Sequence, residues 1–524
     1  MNKKWYNKRS KFVELDTLWG GEAMEKSIII IGAGIAGLSA GCYGQMNGYR
    51  TQIFEIDNAR PGGLCTTWKR KGYKIDGCIE HWPGTEPGTP FYRFWEELGA
   101  VQGRSIVYPD EWSRVEGAGG EVLIFYTDLD RLEQHMKELA PEDTDVIEEF
   151  IKAARSTARF KNMPPEKAPE VMGPIDGIKT LFTMFPLLRF AKKWGKMTVQ
   201  DFAQRFKNPF LREAFLHNTI PPYSPMLSLL VGIGNIHRKQ AGYPLGGSLE
   251  IARAIERRYL DLGGEVHYKS RVAKILVESD RAVGVRLADG SEHRSDIVIS
   301  AADGRTTIFD MLEGKYVNDK IRGYYDNLLT IPPIIYVGLG VARLFDEPYS
   351  VFGVNYPLDE PVTIAGQELT RLPVHIYNFD PSLAPAGKTA LRVKLDTDYE
   401  YWKKLSEDPE RYKAEKEQIA NKVIALLDRR FPGLADQVEM CDVATPMTFE
   451  RYTGNWRGSW MGWADTTETQ GMRMSKTLPG LGNFYMAGMW VDPPGGTPCV
   501  AMSGRNVIQI ICKQDKKKFV TSKP

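Results

Sequence analysis

The chain has 524 residues, of which 42% are hydrophobic and 26% charged, and its net charge is +2. It is too long for one simple core, too apolar for a disordered chain and too balanced in charge for a nucleic-acid binder, so two or three connected globular domains are expected. Six cysteines form no C-x-x-C pair and share no ligand spacing with the seven histidines, which predicts a reduced intracellular compartment and no metal site.

Residues 1–23 precede Met24, lack the apolar run of a secretory signal and are expected to be a disordered extension. Lysines and arginines gather at both ends of the chain (Lys3, Lys4, Lys8, Arg9 and Lys11; Lys513, Lys516, Lys517, Lys518 and Lys523), as solvated tails or as contacts for anionic lipid headgroups. Four isoleucines at 28–31 then read as a buried parallel strand. They run into Gly32-Ala33-Gly34-Ile35-Ala36-Gly37, and residues 38–46 are small and helix-compatible. In this strand, turn and helix, Gly32 allows the turn and Gly34 admits a pyrophosphate. Gly37 lets the helix lie close on its strand. A second strand at 51–54 ends in Glu55, where a carboxylate is expected to accept hydrogen bonds from an adenosine ribose. Arg60-Pro61-Gly62-Gly63 follows, a glycine pair that can offer bare amides to a phosphate or a flat ring, although Pro-Gly-Gly is also a plain turn signal.

The order of these motifs, with Gly72-Tyr73-Lys74-Ile75-Asp76 after them, resembles the flavoproteins with two dinucleotide-binding motifs. These are the amine oxidases, protoporphyrinogen oxidase, and the phytoene desaturase, carotenoid isomerase and retinol saturase group. Two departures are local. Leu64-Cys65 stands where those families usually have Arg, and their D-x-G becomes Asp76-Gly77-Cys78. The resemblance implies FAD as cofactor, with Gly62, Gly63 and Leu64, and Arg60 before them, beside it. It places Asp76, His81 and Trp82 near the ring system, each more in keeping with a structural than a catalytic role.

Segments 90–100 and 128–160 read as amphipathic helices. Residues 175–194 are dense in Leu, Phe and Met, interrupted by Pro186 and closed by Lys192, Lys193 and Lys196. That stretch is too short and broken to span a bilayer. It suits either an interfacial segment or a helix covering a substrate cavity. Gly246-Gly247-Ser248 opens a helix at 249–262 that Gly263-Gly264 closes, and strands follow at 265–267, 272–278, 282–287 and 297–300. This block matches the middle of the desaturase group, where the resemblance implies that Val272 touches the adenine. Alternating strands between 331 and 397, then helices at 399–405 and 411–431, predict an antiparallel sheet with helices on one side. Aromatics at 445–463, including Trp456, Trp460 and Trp463, suggest the wall of a pocket for a long apolar ligand. A last strand at 483–487 ends at Gly488, and Gly495-Gly496-Thr497-Pro498 opens the final helix, which resembles the second flavin-contact motif of the family. Asp492 stands where related sequences often have His, and Met489 where amine oxidases usually have Glu.

The expected fold is α/β. A Rossmann-like FAD-binding domain (24–100, 240–310 and 475–512) is interleaved with an α+β substrate domain (101–239 and 311–474) that carries a mixed or antiparallel sheet and a helical membrane-facing region. A basic tail (513–524) completes the chain. The expected function is FAD-dependent oxidation, reduction or isomerisation of C–C and C=C bonds in a long apolar, polyene isoprenoid. The expected setting is cytoplasmic, with peripheral contact to the membrane. NAD(P)H, a quinone or oxygen would be the redox partner. A flavin amine oxidase is the alternative enzyme, and a non-catalytic lipid binder like the Rab GDP-dissociation inhibitors the alternative of another class.

Overall fold

The computed structural model describes residues 25–158, 166–218, 220–346, 350–493 and 495–522; the expected extension at 1–23 and Pro494 lie outside them. The four isoleucines form β1 (Ser27–Ile31). It leads through Gly32 into α1 (Ile35–Met46) and on to β2 (Arg50–Phe54). Five strands align in parallel in the order Glu265–His267, β2, β1, Ile297–Ser300, Phe484–Met486. Because side chains alternate along a strand, the isoleucine run serves two cores. Ile28 and Ile30 pack with α1 and the helices Ser248–Asp261 and Thr497–Gln514. Ile29 and Ile31 pack with Val272, Ile275 and Val285 of a three-stranded antiparallel sheet on the other face. A strand buried on both faces needs an unbroken apolar run, and this one has it.

The second body is built on a seven-stranded sheet in the order Val438–Ala444, Ile334–Val341, Thr389–Asp396, Gln367–Ile376, Val354–Ile364, Glu111–Glu116, Val122–Tyr126. One face carries Val337, Val393 and Val374 against Leu427 and Val423 of the helix Pro409–Arg430. The other face meets a hairpin, β3 (Thr67–Arg70) and β4 (Tyr73–Asp76), closed by Lys71 and Gly72. Contact there is close, since a Cβ on Gly338 would lie 2.8 Å from the Ile75 side chain. A separate helical core packs Phe150, Phe202, Phe215 and Leu230 around Trp194.

Three features differ from the sequence reading. The strand Val354–Ile364 departs from the alternation expected between 331 and 397. Pro357, Pro361 and the exposed Asp359 and Glu360 break its alternation, and its pairing shifts register between Pro357 and Val362. The helix Pro174–Trp194 runs unbroken through Pro186, so the expected interruption is absent. No helix among the described residues is long and apolar enough to cross a membrane. The basic C-terminus docks rather than trailing into solvent: Val520 exchanges hydrogen bonds of 2.8 and 2.9 Å with the Asn47 side chain, and the Phe519 ring lies 5.7 Å from that of Tyr43.

Candidate functional site

Both glycine motifs converge at the carboxyl ends of the parallel strands, where open α/β sheets hold their ligands. Gly32, at φ +96°, donates its amide to the Phe54 carbonyl at 2.8 Å and reverses the chain. Gly37 is obligatory, because a Cβ there would sit 2.0 Å from the Gly32 carbonyl oxygen. Gly34 caps α1 without any side-chain hydrogen bond, so Ile35 and Ala36 begin the helix with amides directed at its open end. The second motif approaches from the opposite end of the chain. Gly488 donates to Ser503 Oγ at 2.7 Å, and its missing Cβ would lie 3.8 Å from Ala36. Gly495 and Gly496 both take positive φ, and Gly496 caps the helix Thr497–Gln514, with Thr497 and Pro498 as its first residues.

A flat dinucleotide fits this cradle. A Cβ on Gly34 would find its nearest atom only at 4.0 Å, the Gly62 carbonyl, and one on Gly496 would find nothing within 4 Å. The loop Gly62–Leu64 lies against the turn, since Gly62 donates to the Ala33 carbonyl at 2.8 Å. Glu55 closes one side of the cradle. Its carboxylate accepts from the amides of Ala33 at 2.5 Å and Asp57 at 2.8 Å. Burial pushes its pKa up while those amides pull it down. Two oxygens with two such partners keep lone pairs for ribose hydroxyls. Val272 is brought to the same end because Ser270 donates to the Glu55 carbonyl at 2.8 Å. Arg60 pairs with Asp57 at 3.1 Å and lies over the Tyr452 ring, at the rim of the loop.

Asp76, His81 and Trp82 have three different environments. Asp76 is buried and accepts hydrogen bonds from Ser248 N (2.9 Å), Tyr243 Oη (2.8 Å) and Thr67 Oγ1 (3.1 Å), pinning the β3–β4 hairpin to the start of the helix Ser248–Asp261. Burial raises its pKa and these donors oppose the rise. Trp82 is core, its ring 4.9 Å from that of Trp95. His81 is packed between the rings of Trp112 and Phe352, and burial lowers its pKa, which keeps it neutral. Its Nδ1 is buried with no hydrogen-bond partner.

Sequence reading missed a buried ionic cluster where the seven-stranded sheet faces the hairpin. Glu80 accepts from Arg392 at 2.6 Å and Lys394 at 3.1 Å. Burial works against its charge, but the two cations hold its pKa down to about 2. His375 stacks on Tyr377 at 4.3 Å with rings 4° from parallel, and Arg392 reaches His375 Nδ1 at 3.0 Å. Burial first, and the Arg392 charge next, hold His375 well below the ordinary imidazole value. The Tyr336 hydroxyl donates to the Asp76 carbonyl, tying this cluster to the hairpin. A period-two signal was available: His375 and Tyr377, and Arg392 and Lys394, each sit two apart on alternating strands and so share a face. The expected pocket wall divides. Trp463 is fully buried, with its ring 5.1 Å from that of Trp490, and belongs to the core, whereas Lys394 lies 4.5 Å over the Trp460 ring beside the ionic cluster.

One sheet with a glycine turn from each end of the chain, and an acid at the end of its second strand, defines a class: a dinucleotide-dependent α/β enzyme. A sequence profile described as "Flavin containing amine oxidoreductase" matches residues 35–512, and the chain belongs to that family. FAD is accordingly its cofactor and oxidoreduction its chemistry. The chain is 24% identical to a chloroplastic prolycopene isomerase of Daucus carota, over 93% of this chain and 80% of that one. It is 24% identical to a neurosporene-forming phytoene desaturase of Rhodobacter capsulatus, over 92% and 93%. A prolycopene isomerase of Arabidopsis thaliana is 28% identical over 56% of this chain, a match spanning about half (49%) of the relative. Among solved structures, an oxidoreductase from Methanosarcina mazei superposes with a TM-score of 0.58 at 20% identity, over 92% of this chain and 100% of that one. A putrescine oxidase does so with 0.57 at 14%, over 93% and 99%. At these identities the structures establish the fold alone.

Proposed function

We propose that this protein oxidises, reduces or isomerises C–C and C=C bonds of a long apolar polyene isoprenoid drawn from a membrane surface. The observation that carries the reading is near full-length similarity to relatives named for polyene conversion, joined to a cradle intact at both ends. Gly32, Ala33, Gly34, Ile35, Ala36, Gly37, Glu55, Arg60, Gly62, Gly63, Leu64 and Val272 would hold FAD from one end of the chain, and Gly488, Gly495, Gly496, Thr497 and Pro498 from the other. When bound, FAD supplies the hydride chemistry. The protein's part is then to position and to exclude water. Asp76 fixes the hairpin that borders the site, and Tyr336, which lies under Arg392 of the Glu80–Arg392–Lys394 cluster, ties that cluster to the hairpin.

The helix Pro174–Trp194 supports delivery from a membrane. Ile175, Ile178, Phe185 and Leu188 are exposed along it at spacings of three, seven and three residues, a stripe on one face. Arg189, Lys192 and Lys196 are exposed near its C-terminal end, and Trp194 anchors that end in the helical core. Apolar side chains beside basic ones suit the boundary between acyl chains and anionic headgroups. A flavin amine oxidase is disfavoured by Met489, and a cofactor-free lipid binder by the intact cradle. The test is to present phytoene or prolycopene in anionic liposomes to the purified holoprotein and follow both flavin and polyene spectra. Conversion of a polyene supports the reading. Turnover of amines with both polyenes untouched overturns it.

A further inference from the structure

We propose that Cys65 and Cys78 form a reversible thiol–disulfide pair, a redox site built into the border of the cofactor cradle. The pair follows from hairpin register. Arg70 opposes Tyr73 and each step keeps alignment up to Thr67 opposite Asp76. One further bond, from Gly77 N to the Thr66 carbonyl at 3.0 Å, continues the pairing before the chain turns away through bonds from Thr66 N to the Leu64 carbonyl and from Cys65 N to the Gly62 carbonyl, both at 2.9 Å, and Cys65 and Cys78 are the next residues on the two sides. The hairpin's closing pair, Arg70 and Tyr73, is hydrogen-bonded, and pairs alternate, so 65 and 78 fall at a non-hydrogen-bonded step. A regular pair of that kind brings Cα atoms to about 4.5 Å, within the span a disulfide bridges, and Cys65 and Cys78 pack into the same core. They share a face with Thr67 and Asp76, whose side chains are bonded at 3.1 Å.

Neighbouring contacts agree with that placement. Cys65 Sγ donates to the Ser248 carbonyl at 3.5 Å, and Ile79, just after Cys78, donates to Ser248 Oγ at 2.8 Å, so both cysteines are drawn to one helix start. Both are free thiols. The Cys78 thiol, followed by burial, pushes the Cys65 pKa well above the ordinary thiol value. Among the described residues no other cysteine is shifted by a second thiol: Cys42 is perturbed by burial and Arg258, Cys441 by burial and Asp442, Cys499 by burial and Asp492.

The exposure of the two sulfurs assigns their roles. Cys65 is 4% exposed and Cys78 partly exposed, so Cys78 is the attacking thiol. With a small-molecule disulfide such as oxidised glutathione as oxidant, the Cys78 thiolate attacks one glutathione sulfur and releases the other as thiolate. Capping Cys78 removes the leading cause of the raised Cys65 pKa. The Cys65 thiolate then attacks the Cys78 sulfur and expels the second glutathione thiolate. Two protein thiols lose two electrons and two protons, one protein disulfide forms, and one glutathione disulfide becomes two thiols. The product ties the loop Gly62–Leu64 to the strand leaving Asp76, so the redox state of the pair sets the stiffness of the cofactor border.

The test equilibrates the FAD-loaded holoprotein with reduced and oxidised glutathione in graded ratios, quenches in acid, and counts thiols after denaturation. The count should fall from six to four, with Cys65 and Cys78 joined in the peptide map. In the Cys65→Ser variant the same treatment should stop at a stable glutathione adduct on Cys78. A wild-type protein that keeps all six thiols at every ratio, stops at the Cys78 adduct, or joins a different pair overturns the proposal. The wild-type map decides the matter even where the serine variant fails to fold.

Discussion

Glu80 shows how much one side chain can carry in this protein. Its carboxylate compensates two cations, one of them the deeply buried Arg392, and its pKa falls from the ordinary 4.5 to about 2. Because the folded value lies below the unfolded one, the stabilisation is complete above about pH 4.5 and disappears as pH falls toward 2. A shift of that size is worth about 3 kcal/mol. Urea unfolding of the wild type should therefore weaken over that window. Glu80→Gln should flatten its share of the pH dependence and cost about 3–5 kcal/mol at neutral pH, since it leaves buried charges unpaired. A variant within about 0.5 kcal/mol of wild type would show that Arg392 finds another counter-charge. The same cluster marks the limit of reading residues from sequence. Asp76, His81 and Trp82 were singled out by position along the chain. Glu80, adjacent to His81, gained its partners from one strand 312 and 314 residues further along, Thr389–Asp396, which only the assembled fold brings to it.

At the scale of elements, local signals were most legible where sterics leave one solution. The turn after β1 needs a residue that tolerates φ +96° and a helix that touches backbone, and the sequence spells both in six residues. Gly37→Ala would push a methyl to 2.0 Å from a backbone oxygen that cannot rotate away. FAD affinity should fall at least about tenfold, equivalent to about 1.4 kcal/mol, as measured by flavin fluorescence titration. An alanine variant that purifies with full flavin would exclude this packing. Elements shaped by their neighbours were less legible. The strand Val354–Ile364 survives two prolines because the break in its pairing falls between them, and the helix Pro174–Trp194 continues through Pro186 despite the lost amide. The exposed stripe on that helix gives its own test. Replacing Phe185 and Leu188 together by Asp removes two apolar anchors, each worth about 1.5–3 kcal/mol when fully buried. Sedimentation with anionic liposomes should drop more than about tenfold, with urea stability unchanged, because both side chains already face solvent. Raising salt should weaken wild-type binding as well, through Arg189, Lys192 and Lys196.

Across the whole molecule, the parallel sheet is assembled from distant parts of the chain: β1 and β2 near the start, Glu265–His267 and Ile297–Ser300 in the middle, and Phe484–Met486 near the end. Periodicity foretold each of these strands, but their order in the sheet is a property of the assembled fold. The seven-stranded sheet likewise recruits Glu111–Glu116 beside Val354–Ile364 in parallel register. Such interleaving makes cofactor binding a global event. Gly34 near one end of the chain and Gly496 near the other would face a single ligand, and both belong to the body built on the parallel sheet, so unfolding that body would separate them. FAD should thus bind the native chain and not the unfolded one. It should stabilise by about 2.7 kcal/mol at a hundred times its dissociation constant, rising further with the logarithm of concentration. Differential scanning calorimetry of the stripped protein, titrated with FAD, should show the transition of the parallel-sheet body moving upward with FAD concentration. If the same upward shift persisted in a variant with Gly495 and Gly496 both replaced by alanine, the C-terminal glycine turn would be a structural helix start and the cradle would be built from residues 32–64 alone.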